Sequence, residues 1–261
     1  MIFHCFRIGA IGDIIATSAA TKQLAKYGKV YYYTHYPNVA SMLEGVEKTF
    51  LYSTQYVNSG YESIVIRFDL YRGNNPGVYI GDAAIEDALL YIPGYLKKWQ
   101  DLTLNKAELP ALKSTEKILS QPYITIQHKS GWSTLKEYSF FEIIREQLEK
   151  YIRVIMIDEN DYNNIFSYIQ HAQLHIGIDS SGNHIAAAYN TPSIILWGAT
   201  SPRWYGYHSA INIVNKVDCH PCEFQDKYSN GYFGKCKKEI KCIDQTNPHY
   251  IISLAKTLLK I

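Results

Sequence analysis

Four near-continuous apolar runs punctuate the second half of the chain: YITIQH (123–128), RVIMI (153–157), LHIGI (174–178) and SIILWG (193–198). A strand with one wet face alternates apolar and polar residues, whereas a strand covered by helices on both faces need not. Stretches of helical spacing separate the runs, over 140–151, 162–171 and 183–189, and this alternation predicts parallel βαβ units. The first half repeats the arrangement with strands over 2–8, KVYYYT (29–34), 48–52 and SIVIRF (63–68). A glycine turn and a helix ending near Tyr27 and Gly28 follow the first strand, and a helical stretch runs over 83–99 around Pro93.

Residues 102–122 mix Pro, Lys and Ser without periodicity and mark a boundary. The expected organisation is α/β: two doubly wound Rossmann-like domains, 1–115 and 120–261, facing a cleft that holds the ligand. The second is expected to end in a Cys-rich loop, 217–243, and a helix over 248–261. A content of 47% hydrophobic and 19% charged residues in 261 fits a packed core and excludes disorder as the main state. A net charge of +2 neither announces a polyanionic partner nor repels one. There is no charged-then-apolar leader, and no apolar run reaches the roughly 18 to 20 residues that span a bilayer. A soluble, cytoplasmic protein without a transmembrane segment is therefore expected. Tyrosine is frequent, at 23 residues, which reflects either biased coding or stacking on sugars or bases.

Two turns carry candidate chemistry. In FRIGAIGDIIATSAATKQLAKYG (6–28), Gly9 and Gly12 permit close backbone approach, and the following helix start favours anions. Asp13 would repel a phosphate there, but it could take a proton from an incoming hydroxyl as a general base. The structural alternative is a simple helix cap. In IGIDSSGNHIAAAYNTPSIILWGATSP (176–202), a strand ends at Asp179, Ser180, Ser181 and Gly182 make a tight turn, and a small-residue helix begins with His184. Hydroxyls, free amides and a helix dipole converging there suit a diphosphate, with His184 adding a proton or hydrogen bond to a departing oxygen. Gly198, Ala199 and Thr200 form a second turn at the same sheet edge. A capped helix with a structural histidine is the alternative.

Together these stretches resemble glycosyltransferase family 9, the ADP-heptose-dependent lipopolysaccharide heptosyltransferases and their relatives. GAIGDIIATSAATKQL is similar to the family's N-terminal motif, with Asp13 at its catalytic-base position. The 176–202 stretch is similar to its DSG-x2-H motif, Ser181 standing where the family usually has Gly. HKSGWSTLKEYSFFEII (128–144) is similar to the segment whose lysine contacts the donor phosphates, with Lys136 the better match and Lys129 the alternative. The resemblance implies a GT-B fold and an inverting, metal-independent transfer from a nucleotide sugar, ADP-linked by analogy, with UDP or GDP open. Asp13 would be the base, and Lys136, Asp179, Ser180, Ser181, Gly182, His184, Gly198 and Thr200 would receive the donor. The chain is shorter than family members, lacking a strand and helix between RVIMI and LHIGI. Glu159 falls near the family's ribose-contacting acid.

Cys219, Cys222, Cys236 and Cys242 are spaced C-x2-C-x13-C-x5-C, apart from Cys5 in the first strand. In a reducing compartment this reads as a tetrahedral metal site, zinc foremost, with His220 and His208 as possible substitutes. Disulfides are the alternative, and the resemblance adds iron, which binds such a cluster in protein-modifying relatives. Lys235, Lys237, Lys238 and Lys241, like Lys97 and Lys98 beside Trp99, make either solvated faces or phosphate contacts, with Trp99, Tyr228 or Tyr232 available for stacking. The acceptor expected by family analogy is a glycan or glycolipid hydroxyl. A hydroxymethylated base in DNA is the second reading, and a non-catalytic nucleotide-sugar-binding module the third. The sequence leaves the oligomeric state open.

Overall fold

The computed structural model describes residues 1–52, 63–69, 80–92, 104–105, 109–131, 133–157, 164–222, 236, 238 and 240–261. Glu159, Lys97, Lys98, Trp99, Tyr228, Tyr232, Lys235 and Lys237 lie outside these described residues. The chain divides into two compact units, Met1–Lys113 and Ser114–Ile261, each built on a wholly parallel sheet.

In the first unit, strands β1 (Ile2–Phe6), β2 (Lys29–Thr34), β3 (Val46–Leu51) and β4 (Ser63–Arg67) lie in the order β3-β2-β1-β4. Phe3, Cys5, Val30, Tyr32, Ile64 and Ile66 alternate along these strands into the core. Four helices share one layer: α1 (Ile11–Ala16) packs on α2 (Ser18–Leu24), α3 (Pro37–Ser41) and α4 (Ile80–Tyr91), and α2 packs on α4. On the other face the pairing register sets Phe6, Tyr33 and Phe50 side by side, with ring centroids 4.4 and 4.8 Å apart. Cross-strand stacking of this kind stabilises a sheet, and it gives Tyr33 a structural use beyond the two considered for the tyrosine content.

The single helix expected after β1 is two. The Thr17 hydroxyl donates to Ile14 O at 2.7 Å and meets the Tyr32 hydroxyl at 2.7 Å, while Ser18 Oγ donates to Ile15 O at 2.6 Å. Side-chain hydroxyls compete with backbone donors for these carbonyls, and the helix breaks at Thr17. Because α1 already begins at Ile11, Asp13 rides in its first turn rather than in a glycine loop.

In the second unit β5 (Tyr123–Gln127), β6 (Arg153–Ile157), β7 (His175–Ile178), β8 (Ser193–Trp197) and β9 (Ala210–Val214) lie in the order β6-β5-β7-β8-β9. Every residue of β5, β7 and β8 is buried, which is why their sequences run apolar without alternation. RVIMI was expected to be buried on both faces as well, but as edge strand β6 it is largely half-exposed. The sheet packs on α5 (Phe141–Leu148) and α9 (Pro248–Leu259) through Ile124, Ile126, Ile144, Leu148, Ile251 and Ala255. Helix α6 (Ile165–Gln170) packs on α7 (Ser181–Tyr189). Strand β9 has no counterpart in the sequence reading: AINIV is short, and its half-exposed pattern gives no periodic signal.

Candidate active site

Strands β5 and β7 are parallel neighbours, so their C-terminal ends bring Gln127 beside the turn Ser180–Gly182. This is the edge at which open parallel sheets receive ligands. Gln127 Oε1 accepts from Gly182 N at 2.9 Å, and its Nε2 donates to Ser180 Oγ at 3.3 Å and Ser181 Oγ at 3.4 Å. Asn183 N donates to Ser180 O at 3.1 Å. The free amides expected at the start of α7 are therefore partly committed: Gly182 N and Asn183 N both have protein acceptors. A Cβ on Gly182 would collide with Gln127 Oε1 and stand 2.7 Å from His175 Nε2, so this glycine faces the protein interior.

Lys136 and Asp179 form a buried ion pair, Nζ to Oδ2 at 2.8 Å, with side chains 10% and 5% exposed. Lys129 is exposed. Of the two lysines, geometry thus brings Lys136 to the turn. His184 is buried, and its Nδ1 meets the Tyr207 hydroxyl at 2.6 Å, the rings lying edge to face. Tyr207 is a site residue that the sequence reading missed; no motif marks it, because it arrives from the segment before β9. Gly198 packs against Leu135 O, too close for any side chain there, and Thr200 Oγ1 is buried without a hydrogen-bond partner.

Beneath the turn lies His175, wholly buried, its Nδ1 paired with Thr125 Oγ1 at 2.9 Å. Burial holds its pKa down to about 3 from the usual 6.5. The unfolded chain therefore binds one more proton than the native state between those values, and stability falls with pH at about 1.4 kcal/mol per unit from near pH 6.5 downward. His175→Gln is expected to flatten the acid limb of a stability curve measured by urea unfolding at stepped pH. An unchanged limb would show that His175 is not the acid-sensitive group.

In the first unit, Asp13 Oδ2 receives Arg7 Nη2 at 2.5 Å, both side chains 13% exposed, and Arg7 Nη1 also donates to Phe68 O at 3.1 Å. Helix α1 has Ala10 at its N-cap and no side-chain cap bond, so the capping role for Asp13 does not hold. A Cβ on Gly9 would stand 2.7 Å from both Arg7 Nη2 and Asp13 Oδ2. Gly9 therefore makes room for the ion pair, and Gly12 occupies the first turn of α1 before Asp13.

All five cysteines carry free thiols. Burial pushes the Cys242 thiol up to about 11, with Cys222, Cys219 and Cys236 adding to the effect, so the four sulfurs share one neighbourhood. Lys238 N donates to Cys236 Sγ at 3.4 Å. Among the described residues no three ligating side chains form a closed metal set. The cysteine segments brace the C-terminal edge of the second sheet. Cys222 N donates to Ala199 O at 2.9 Å, His220 Nε2 meets Thr200 O at 2.8 Å, and Lys241 Nζ donates to Glu137 O at 2.7 Å. Leu135, next to Lys136, packs with Ala199, Cys222 and Cys236.

Residues 142–232 match the family model of glycosyltransferase family 9 (heptosyltransferase). Lipopolysaccharide heptosyltransferase 3 of Escherichia coli is 69% identical over 32 residues, which span 12% of this chain and 9% of that protein. Among solved structures, the iron-containing dodecameric glycosyltransferase TibC from enterotoxigenic E. coli superposes with a TM-score of 0.71 at 14% identity, over 99% of this chain and 76% of that one. The E. coli ADP-heptose lps heptosyltransferase II superposes with a TM-score of 0.69 at 14% identity, over 100% and 99%. The fold is that of the GT-B heptosyltransferases. Among the described residues no helix is long and apolar enough to cross a membrane.

Proposed function

From a chain whose residues 142–232 carry the glycosyltransferase family 9 (heptosyltransferase) pattern, we propose an inverting glycosyltransferase that moves a sugar, heptose foremost, from a nucleotide diphosphate donor to a saccharide hydroxyl. The observation that carries this reading is the buried Lys136–Asp179 pair beside the hydroxyls of Ser180 and Ser181, at the C-terminal edge of the second parallel sheet. An ammonium and two hydroxyls at that edge suit a diphosphate. ADP is the expected nucleotide, since one of the similar structures is an ADP-heptose heptosyltransferase.

The reaction is a single displacement. Asp13 takes the proton of the acceptor hydroxyl as its oxygen bonds to the anomeric carbon, and the bond from that carbon to the diphosphate oxygen breaks with inversion. Lys136 and the two hydroxyls receive the charge that collects on the departing diphosphate. In the tautomer whose Nδ1 accepts from the Tyr207 hydroxyl, the His184 Nε2–H is the donor proposed for the same oxygen. Arg7 orients Asp13 and keeps a cation beside it. Melting curves against ADP-, UDP-, GDP- and CMP-sugars test the donor, because a ligand selective for the native state raises the transition. A selective rise names the nucleotide, and no rise with any of the four rejects the reading.

Cys219, Cys222, Cys236 and Cys242 are proposed to hold a structural zinc or iron. Their free thiols, shared neighbourhood and the backbone donor on Cys236 Sγ support this reading. Free thiols also fit a cytoplasmic setting. A bound ion would favour the thiolates over the buried thiols and fix the segments that brace Leu135 and Thr200. Chelation is expected to lower the melting temperature by several degrees and to weaken nucleotide binding with it. Elemental analysis of the purified protein showing no metal, with no response to chelator, would reject the site.

A further inference from the structure

Gln127 was singled out neither by motif nor by resemblance, yet its single carboxamide engages all three residues of the donor turn. It is 3% exposed at the last position of β5, where it pairs with Ile157 of β6. Its oxygen takes the Gly182 amide, and its nitrogen donates to the Ser180 and Ser181 hydroxyl oxygens. A hydroxyl oxygen that accepts from Gln127 is left with its own proton to donate elsewhere. Ser180 and Ser181 are half-buried and open to a ligand, whereas Gly182 and Asn183 are buried. With the Gly182 and Asn183 amides already given to protein acceptors, the Ser180 and Ser181 hydroxyl protons are donors the turn still presents.

We propose that Gln127 is the positioning residue of the donor site, turning the Ser180 and Ser181 hydroxyls outward as donors to the diphosphate. This rests on the nucleotide-sugar reading above. The carboxamide does both jobs at once because its oxygen accepts from Gly182 N while its nitrogen carries two protons, one for each serine. Glutamate keeps the first and loses the second, setting an anion beneath the hydroxyls; methionine keeps the approximate volume and loses both.

The test is titration calorimetry with ADP on the full chain, run on wild type, Gln127→Met, Gln127→Glu, Ser180→Ala/Ser181→Ala and the triple variant Gln127→Met/Ser180→Ala/Ser181→Ala, with melting curves as the folding control. Loss of hydrogen bonds to a charged ligand is expected to weaken ADP binding roughly 10- to 100-fold in Gln127→Met, and further in Gln127→Glu. In the Ser180→Ala/Ser181→Ala background the same methionine is expected to change affinity by less than about threefold, since the groups it positions are gone. A merely structural glutamine would give the same penalty in both backgrounds, and that additivity would overturn the proposal, as would unchanged affinity in folded Gln127→Met. Should the methionine variant fail to fold, Gln127→Leu, likewise uncharged and without donor or acceptor, carries the same comparison in the two backgrounds. If wild type binds ADP and the Gln127 variants bind it equally, only the positioning role falls. If wild type binds neither ADP nor UDP nor GDP, the donor reading falls and takes this inference with it.

Discussion

Asp13→Asn is expected to cut sugar transfer by about 10²- to 10⁴-fold, the usual contribution of a positioned general base, while leaving nucleotide binding unchanged. The amide keeps an oxygen for Arg7 Nη2, so the local geometry held by Arg7 and the close approach of Gly9 survives, but it has no carboxylate to take the acceptor proton. The groups proposed to receive the donor, Lys136, Asp179 and Ser180, belong to the other compact unit, so ADP affinity isolates the two roles. A transfer assay with calorimetric ADP binding measures both. Near wild-type turnover would remove Asp13 from the chemistry and leave the Arg7 pair as a structural element of the β1–α1 turn.

Lys136→Met is expected to cost about 3 to 5 kcal/mol of stability, because it strips the cation from a carboxylate that is 5% exposed. The cost arises less from the lost attraction than from the charge left behind in a poorly solvated place. Lys136→Met/Asp179→Leu is therefore expected to recover most of the loss, or to exceed wild type, since an apolar replacement of both partners removes the desolvation penalty altogether. ADP binding should stay lost in both variants. Denaturant unfolding and calorimetry on the set separate the two functions of the pair. A stable single variant would show that water reaches Asp179, and a double variant that regains ADP binding would show that Lys136 does not contact the diphosphate.

The residues that the sequence reading picked in the second unit lie together largely because they are close in the chain or on adjacent strands. Asp179 to His184 form one strand end, turn and helix start, and Lys136 reaches them from a short segment after β5, the strand beside β7. A motif preserves such neighbours: spacing marks the turn, and the family resemblance marks Lys136. The four cysteines stand out by spacing as well, their side-chain chemistry leaving few uses for it, although no closed metal set forms among the described residues.

Chain order and residue type together determined the parallel α/β class: apolar runs with no alternation demand cover on both faces, and β5, β7 and β8 obey. Only the tertiary structure decided which polar partners the site groups would have. Gln127, His175 and Tyr207 come from separate strands and a connecting segment, and nothing in their local sequence distinguishes them from ordinary polar residues. The tertiary structure also withdrew two donors, Gly182 N and Asn183 N, that a helix N-terminus offers by default. It gave Asp13 an arginine in place of a capping role. Periodicity reports which face of an element is apolar, but a hydrogen bond between strands depends on register and side-chain reach, which are fixed only when the sheet is assembled.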